Sequence, residues 1–162
     1  MRILLLDAAP GELLDRELEC LLGHGLAVTL NLRRVTDRTS ARAAWTDRVG
    51  FADFDAFDES ALIAEITRGG VGYHAVKSRA GVPLRAVFLA AATDLALANR
   101  LRVIGRAGAG SDHVDLAAAA RHGVTVTQRA VCECIDVLSS PERVVMRYPG
   151  RSEAMGVLGW SL

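Results

Sequence analysis

The sequence has little of what marks several common classes of protein. It contains only three cysteines in 162 residues, and their number and spacing do not suggest a disulfide scaffold, so we expect a reducing, cytoplasmic compartment. It has no excess of charge, because 19 basic and 19 acidic residues cancel, which argues against nucleic-acid or membrane-surface partners. No apolar run is long enough for a membrane span, and the opening run, ended by Asp7, is too short for a signal-peptide core.

The remaining composition is that of a globular protein, with 51% hydrophobic and 23% charged residues, enough for one domain with a sizeable core. Apolar runs and turn residues predict alternating strands and helices, which indicates an α/β fold with a flavodoxin-like open parallel sheet and helices on both faces. The predicted strands are Arg2–Leu6, Leu26–Leu32, Leu84–Ala91, Leu101–Gly105 and Val124–Thr127. The predicted helices are Glu12–Leu22, Glu59–Arg68, Thr93–Arg100 and Asp115–Arg121, with an irregular or β-rich insertion at Val71–Pro83.

The most informative stretch is Leu101–Gln128, LRVIGRAGAGSDHVDLAAAARHGVTVTQ, which reads as strand, glycine loop, helix, turn and strand. Gly108 and Gly110 flank Ala109 in a loop whose bare backbone N–H groups can approach an anion. Gly123 stands where a helix carboxyl terminus favours a left-handed residue. The loop would follow the carboxyl end of a strand, which is where open α/β sheets place their ligands.

The same stretch carries a resemblance to a known family. Its AGAGSDHVDL resembles the loop A-G-I-G-S-D-H-V-D-L of the NAD-dependent formate dehydrogenases, a branch of the D-isomer-specific 2-hydroxyacid dehydrogenase superfamily. Further along, AVCECIDVLSSPERVVM is similar to that branch's T-Y-C-N-S-I-S-V-A-E-H-V-V-M. The resemblance implies the N-terminal substrate domain of an oxidoreductase that transfers hydride from formate or a D-2-hydroxy acid to NAD.

The resemblance assigns four residues to the substrate side, Gly108, Ala109, Gly110 and Glu133. It implies that the backbone N–H of Ala109 contacts the carboxylate of a small substrate, which a backbone group can do with any side chain. Glu133 takes the place of the asparagine whose amide binds formate in that branch. An ionised carboxylate cannot donate a hydrogen bond, so this replacement counts against formate as the substrate.

The resemblance also divides the chain and places the cofactor. Residues 1–130 would form the substrate-side domain, and 131–162 an inter-domain segment with the start of a Rossmann domain. Cys134, Val137, Gly156 and Gly159 fall on the cofactor side, facing NAD. No complete G-x-G-x-x-G fingerprint occurs in the 162 residues, and no catalytic residue is assigned among them, so we expect no turnover by this chain alone.

Other interpretations stay open at this stage. The chain could be a non-catalytic flavodoxin-like module for binding or dimerisation, and a homodimer would fit that use. The aspartates and histidine of SDHVD could serve acid–base chemistry, although helix capping explains Asp112 and Asp115 without it. Asp53, Asp55 and Asp58 resemble a calcium ladder in spacing, but the glycine and the terminal glutamate of such a loop are not in place, so no metal site is expected.

Overall fold

The computed structural model describes residues 1–8, 11–78, 81–106 and 113–127, and these form one parallel sheet with helices on both faces. The six strands are β1 (Arg2–Leu5), β2 (Ala27–Asn31), β3 (Gly50–Ala52), β4 (Ala75–Ser78), β5 (Val103–Arg106) and β6 (Thr125–Thr127). The helices are α1 (Glu12–Gly23), α2 (Arg38–Trp45), α3 (Glu59–Ile66), α4 (Ala86–Ala92) and α5 (Leu116–Arg121). No helix in this described part of the chain has the length and apolar character to cross a membrane.

The strands lie in the order β3-β2-β1-β4-β5-β6, and every pairing is parallel. Without the edge strand β3, this is the 2-1-3-4-5 order of flavodoxin-like sheets. The predicted fold class is therefore confirmed, with one more strand than the sequence indicated. From β1 the chain moves to β2 on one side, and it later returns to β4 on the other, so the sheet has its switch point between β1 and β4.

The central strand β1 separates two apolar cores. Ile3 and Leu5 face the core that contains α1 and Trp45 of α2, whereas Leu4 and Leu6 face the core built from α3, α4 and α5. All four side chains are buried. Successive residues of a strand point to opposite faces, so a run of large apolar residues is what a strand covered by helices on both sides requires.

The prediction of a strand at Leu84–Ala91 is wrong, because this segment forms helix α4. Phe88, Leu89 and Ala92 are buried at helical spacing, while Val87 is exposed. A short apolar run can be either a buried strand or a buried helix, and the alanines near its end favour the helix. Thr93 does not begin the predicted helix Thr93–Arg100. It is instead the carboxyl-terminal cap of α4, and its hydroxyl donates to the Leu89 carbonyl at 2.7 Å.

Three elements were not predicted. Helix α2 and strand β3 lie between Arg33 and Phe57, where polar residues obscure the periodicity. Strand β4 lies inside the predicted insertion Val71–Pro83 and occupies the centre of the sheet. Its pattern was hidden because two apolar residues are followed at once by Lys77 and Ser78, which are buried all the same.

Two glycines show why their positions exclude other residues. Gly123 has φ 67°, the left-handed conformation predicted for the end of α5. Gly72 has φ 69° and forms a bridge with Asn99, and a Cβ there would lie 2.0 Å from the Asn99 carbonyl oxygen. This close approach holds the segment before β4 against the segment before β5.

The α4 assignment predicts a contrast between adjacent residues. Phe88→Ala should lower the free energy of unfolding by about 3–5 kcal/mol, because the ring is 0% exposed in the core. Val87→Ala is the matched control and should change it by less than about 0.5 kcal/mol, because Val87 is 62% exposed. Denaturant unfolding followed by circular dichroism measures both. A central strand would bury Val87 as well, so a large loss in that variant would contradict the helix.

Candidate functional site

Polar side chains meet at the carboxyl edge of the sheet. β4 ends in Lys77 and Ser78, β5 ends in Arg106, and Asp7 follows β1. β1 and β4 flank the switch point, and β5 lies next to β4. Open α/β sheets bind their ligands outside the carboxyl ends of strands at such a point. This edge is therefore the candidate site.

The predicted substrate loop belongs to this edge but lies outside the described residues. Gly108, Ala109 and Gly110 fall in the segment 107–112, between Arg106 at the end of β5 and His113 before α5. The residue positions predicted further along the chain also lie outside the described part, namely Glu133, Cys134, Val137, Gly156 and Gly159. Their roles, and the domain boundary near residue 130, therefore stay predictions.

The two residues that flank the loop segment contact each other. Arg106 Nη2 lies 2.9 Å from His113 Nε2. A guanidinium is always a donor, so Nε2 must accept this hydrogen bond and the ring proton of neutral His113 then lies on Nδ1. The contact brings together the ends of the segment 107–112, which fixes where that segment begins and ends.

A second set of contacts holds the His113 side in place. The His113 carbonyl accepts from Leu84 N at 2.7 Å, and Asp115 N donates to the Leu84 carbonyl at 3.1 Å. These bonds form a parallel bridge between Leu84 and Val114. The imidazole also packs on Gly81, where a Cβ would lie 3.2 Å from the ring. The segment that follows the loop is therefore attached to the start of α4.

Arg106 is buried, which strengthens the electrostatic interactions of its guanidinium. It is 5% exposed, and it stands in register with Ser78 of the neighbouring strand. Because side chains alternate along a strand, Arg106 and Ser78 face the same side as Ile104 and Val76, which belong to the core of α3, α4 and α5. A guanidinium in such surroundings is weakly hydrated and favours a carboxylate or phosphate oxygen as a partner.

The charged side chain of Lys77 lies on the face of the sheet opposite to Arg106. Its side chain is buried and pairs with Glu17 of α1, which is buried as well. The pair joins the carboxyl end of β4 to α1. Removing one member of a buried pair leaves the other charge uncompensated, so this contact contributes to structure at the edge more than to ligand binding.

Asn31 organises the edge on the β1–β2 side. Its amide nitrogen donates to the Phe54 carbonyl at 3.0 Å, and its Oδ1 accepts from Phe54 N and Arg33 N, each at 3.2 Å. Asn31 is buried, so these bonds satisfy backbone groups that water does not reach. Nearby, Arg34 lies 3.9 Å from the Asp7 carboxylate.

Sequence reasoning did not single out these side chains. No function was predicted for Arg106, Lys77 or Asn31. The signal that could have found them is a single polar residue closing a buried strand, as in VIGR, HAVKS and VTLN. In a parallel sheet these endings share one edge, whereas the sequence presents them as unrelated positions.

The aspartates of the sequence mostly serve local structure. Asp115 accepts from Ala118 N at 2.8 Å and so caps α5, as predicted. Asp58 caps α3 through Ser60 N at 2.9 Å, and Asp53 pairs with Arg38 at 3.0 Å. Within the described ranges, no group of three or more potential metal ligands comes together.

Two groups with shifted pKa values lie at the opposite, amino-terminal edge. Burial raises the pKa of the Tyr73 phenol, which donates to buried Glu65 at 3.0 Å. Burial also lowers the pKa of His74, and the cationic N-terminus and Arg102 act in the same direction. His74 Nδ1 accepts from Arg2 N at 3.1 Å. Packing and charge account for both shifts, and neither group faces the candidate site.

Comparison with known proteins gives one family. A family model described as "D-isomer specific 2-hydroxyacid dehydrogenase, catalytic domain" matches residues 35–137, well over half of the chain. Among solved structures, the chain is similar to mycobacterial Rv1454c complexed with NADPH, at 20% identity and a TM-score of 0.42, covering 86% of this chain and 46% of that one. The chain thus spans about half the length of that structure. No curated protein matches it significantly.

The lowered pKa of His74 predicts a pH dependence of stability. The folded state favours neutral His74, so the unfolded chain binds the proton more readily below about pH 6.5. Stability should therefore fall as the pH drops below this value towards the folded-state pKa. His74→Asn retains an acceptor for Arg2 N–H but does not titrate, so it should reduce the loss between pH 7 and pH 5. Urea unfolding across this range tests it, and equal losses in the two proteins would refute the assignment.

Proposed function

The chain belongs to the family of D-isomer specific 2-hydroxyacid dehydrogenases, and we propose that it forms the substrate-side part of an NAD-dependent oxidoreductase. In this proposal it binds a small carboxylate at the carboxyl edge of the sheet. The reaction is hydride transfer from a D-2-hydroxy acid, or from formate, to NAD.

The observation that carries the proposal is the position of Arg106. It is a buried cation at the end of β5, directly before the segment 107–112 that contains the predicted substrate loop. The carboxylate of a small acid would interact with this positive charge and with the backbone N–H groups predicted at Ala109 and Gly110. Arg106 and these N–H groups orient the substrate in this scheme, and the residue that takes its hydroxyl proton is not assigned.

Between the two substrates, a 2-hydroxy acid fits better than formate. Glu133 replaces the asparagine that holds formate in the resembled branch, and an ionised carboxylate cannot donate the hydrogen bond that the amide supplies there. The description of the family model that matches the chain also names 2-hydroxy acids. Both substrates share the carboxylate that Arg106 would meet.

The described residues do not fit the dinucleotide. In an NAD-binding unit, the turn after the first strand carries a glycine fingerprint that lets the backbone approach the pyrophosphate. The β1–α1 connection here reads DAAPGE, with one glycine, and Asp7 places a negative charge where the pyrophosphate would lie. We therefore propose that NAD, which accepts the hydride when bound, is held by a separate Rossmann unit to which Cys134, Val137, Gly156 and Gly159 belong.

This division predicts no catalysis by the 162-residue chain alone. Mixing it with NAD or NADP and a panel of D-2-hydroxy acids or formate should produce no reduced nicotinamide above a protein-free blank. The physical reason is that a substrate side without the dinucleotide fingerprint cannot bring the nicotinamide to the substrate. Steady formation of NADH or NADPH, proportional to protein concentration, would contradict the proposed division.

Substrate binding, in contrast, should survive and should depend on Arg106. We expect D-lactate, titrated into ¹⁵N-labelled protein, to shift amide resonances of β4 and β5. Arg106→Met should weaken this binding about tenfold or more, because a charge-assisted hydrogen bond is lost. Arg106→Lys retains the charge and should lose less. Arg100→Met removes an exposed arginine and should bind as the unmodified chain does.

Thermal unfolding of each variant separates a loss of binding from a loss of fold. If Arg106→Met is folded and binds D-lactate with unchanged affinity, the carboxylate site is not at Arg106. If the unmodified chain binds no carboxylate and is a dimer by light scattering, the non-catalytic module becomes the better account.

A further inference from the structure

A cleft of about 360 Å³ opens among the starts of α3, α4 and α5, apart from the face that Lys77 and Glu17 occupy. Its charged wall contains Glu59 from the first turn of α3, Arg85 from the residue before α4, and Asp115, which caps α5. Val87 and Val114 contribute apolar surface. The volume is near the lower end of the range of about 300–1,000 Å³ that small-molecule sites span.

The walls of the cleft are held together by backbone hydrogen bonds. The bridge between Leu84 and Val114 joins the start of α4 to the segment before α5. Leu84 is fully buried, so this bridge lies in the protein interior and is shielded from competing water. The backbone that carries Arg85 and the backbone that carries His113 and Asp115 are therefore held together before any ligand arrives, which lowers the entropic cost of binding.

Glu59 supplies an acidic group whose charge is incompletely solvated. Its Oε1 is shielded from solvent and, among the described residues, has no hydrogen-bond partner. A carboxylate in this condition gains more from a neighbouring cation than a fully hydrated one does, because less of its charge is already compensated. Asp115 adds a second carboxylate to the cleft. Together they favour an ammonium group.

Arg85 and His113 supply a positive charge and a hydrogen-bond donor. Arg85 is exposed at the start of α4 and presents a guanidinium. His113 also lines the cleft, and because its Nε2 accepts from Arg106, its remaining ring nitrogen, Nδ1, carries a proton to donate. These two groups favour a carboxylate, and a bidentate arginine contact gives it a defined orientation.

We propose that this cleft binds a small zwitterion, an α-amino acid with a short side chain. Its ammonium group lies beside Glu59 and Asp115, its carboxylate lies beside Arg85 and His113 Nδ1, and its side chain contacts Val87 or Val114. This site is separate from the carboxylate site at Arg106 and does not depend on the proposed dehydrogenase function. His113 contacts both sites, so a ligand in the cleft adjoins the residue that fixes one end of the substrate loop segment.

The test is a titration of the ¹⁵N-labelled 162-residue chain with three related small probes. Alanine carries both charged groups, lactate replaces the ammonium with a hydroxyl, and ethylamine lacks the carboxylate. We expect alanine to shift the amides of Val87 and Val114 with an affinity about tenfold higher than either other probe. Lactate shifts confined to β4 and β5 would report the Arg106 site, so the two proposals succeed or fail separately.

Two variants assign the ligand groups. Glu59→Gln keeps the shape but removes the charge and should weaken alanine binding about tenfold. Glu12→Gln is its matched control, because Glu12 is likewise the first residue of a helix but is exposed and far along the chain from the cleft. Arg85→Gln changes an exposed residue, so it should fold, and it should also weaken alanine about tenfold.

The outcomes that would overturn the proposal are definite. Lactate or ethylamine that shifts the Val87 and Val114 amides with an affinity equal to that of alanine would do so, as would unchanged alanine affinity in either Glu59→Gln or Arg85→Gln. Thermal unfolding midpoints check that the variants are folded. If Glu59→Gln is unfolded, the Arg85→Gln result decides alone.

Discussion

β1 pairs with β2 on one edge and β4 on the other, and helices cover both of its faces. This constraint determines where chemistry can occur, because a strand enclosed on four sides offers a ligand neither side chains nor free backbone groups along its length. Polar function is therefore restricted to the ends of the strands. After β1 the chain continues with Leu6, which is apolar and fully buried, and Asp7 is the first polar residue beyond the strand.

The amino-terminal and carboxyl edges of the sheet differ in how their polar and charged groups are arranged. At the amino-terminal edge, Tyr73 donates to Glu65 and Arg2 lies over the Tyr73 ring at 5.1 Å, so charged and aromatic groups are paired with one another. At the carboxyl edge, Arg106 lies next to a segment with two glycines, and its contact with His113 joins the ends of that segment. The first arrangement pairs the polar groups of its edge with one another, whereas the second places a buried cation directly before the segment 107–112.

The spacing of apolar residues was sufficient to predict a strand or a helix where one of the two periods dominated. The run at Ile3–Leu6 and the leucines of α1 predicted a buried strand and an amphipathic helix, and both occur with bounds within one residue. It failed at Leu84–Ala91, where a short apolar run suits either a strand or a helix. It also failed at β4, where Lys77 is buried and pairs with Glu17 of α1, a contact that the sequence does not reveal. The glycine loop could be located from its motif, but the Arg106–His113 contact could not, because it depends on how β5 and α5 are placed in space.

His113 shows how one side chain can present different polarity in two directions. Its Nε2 accepts from Arg106 at the carboxyl edge, which leaves the ring proton on Nδ1, the nitrogen on the side of the ring that packs against Gly81. The backbone N–H of Leu84 donates to the carbonyl of His113. The main chain at His113 therefore cannot shift away from Arg106 without breaking the bridge between Leu84 and Val114. The fold thus holds the main chain of His113 beside Arg106.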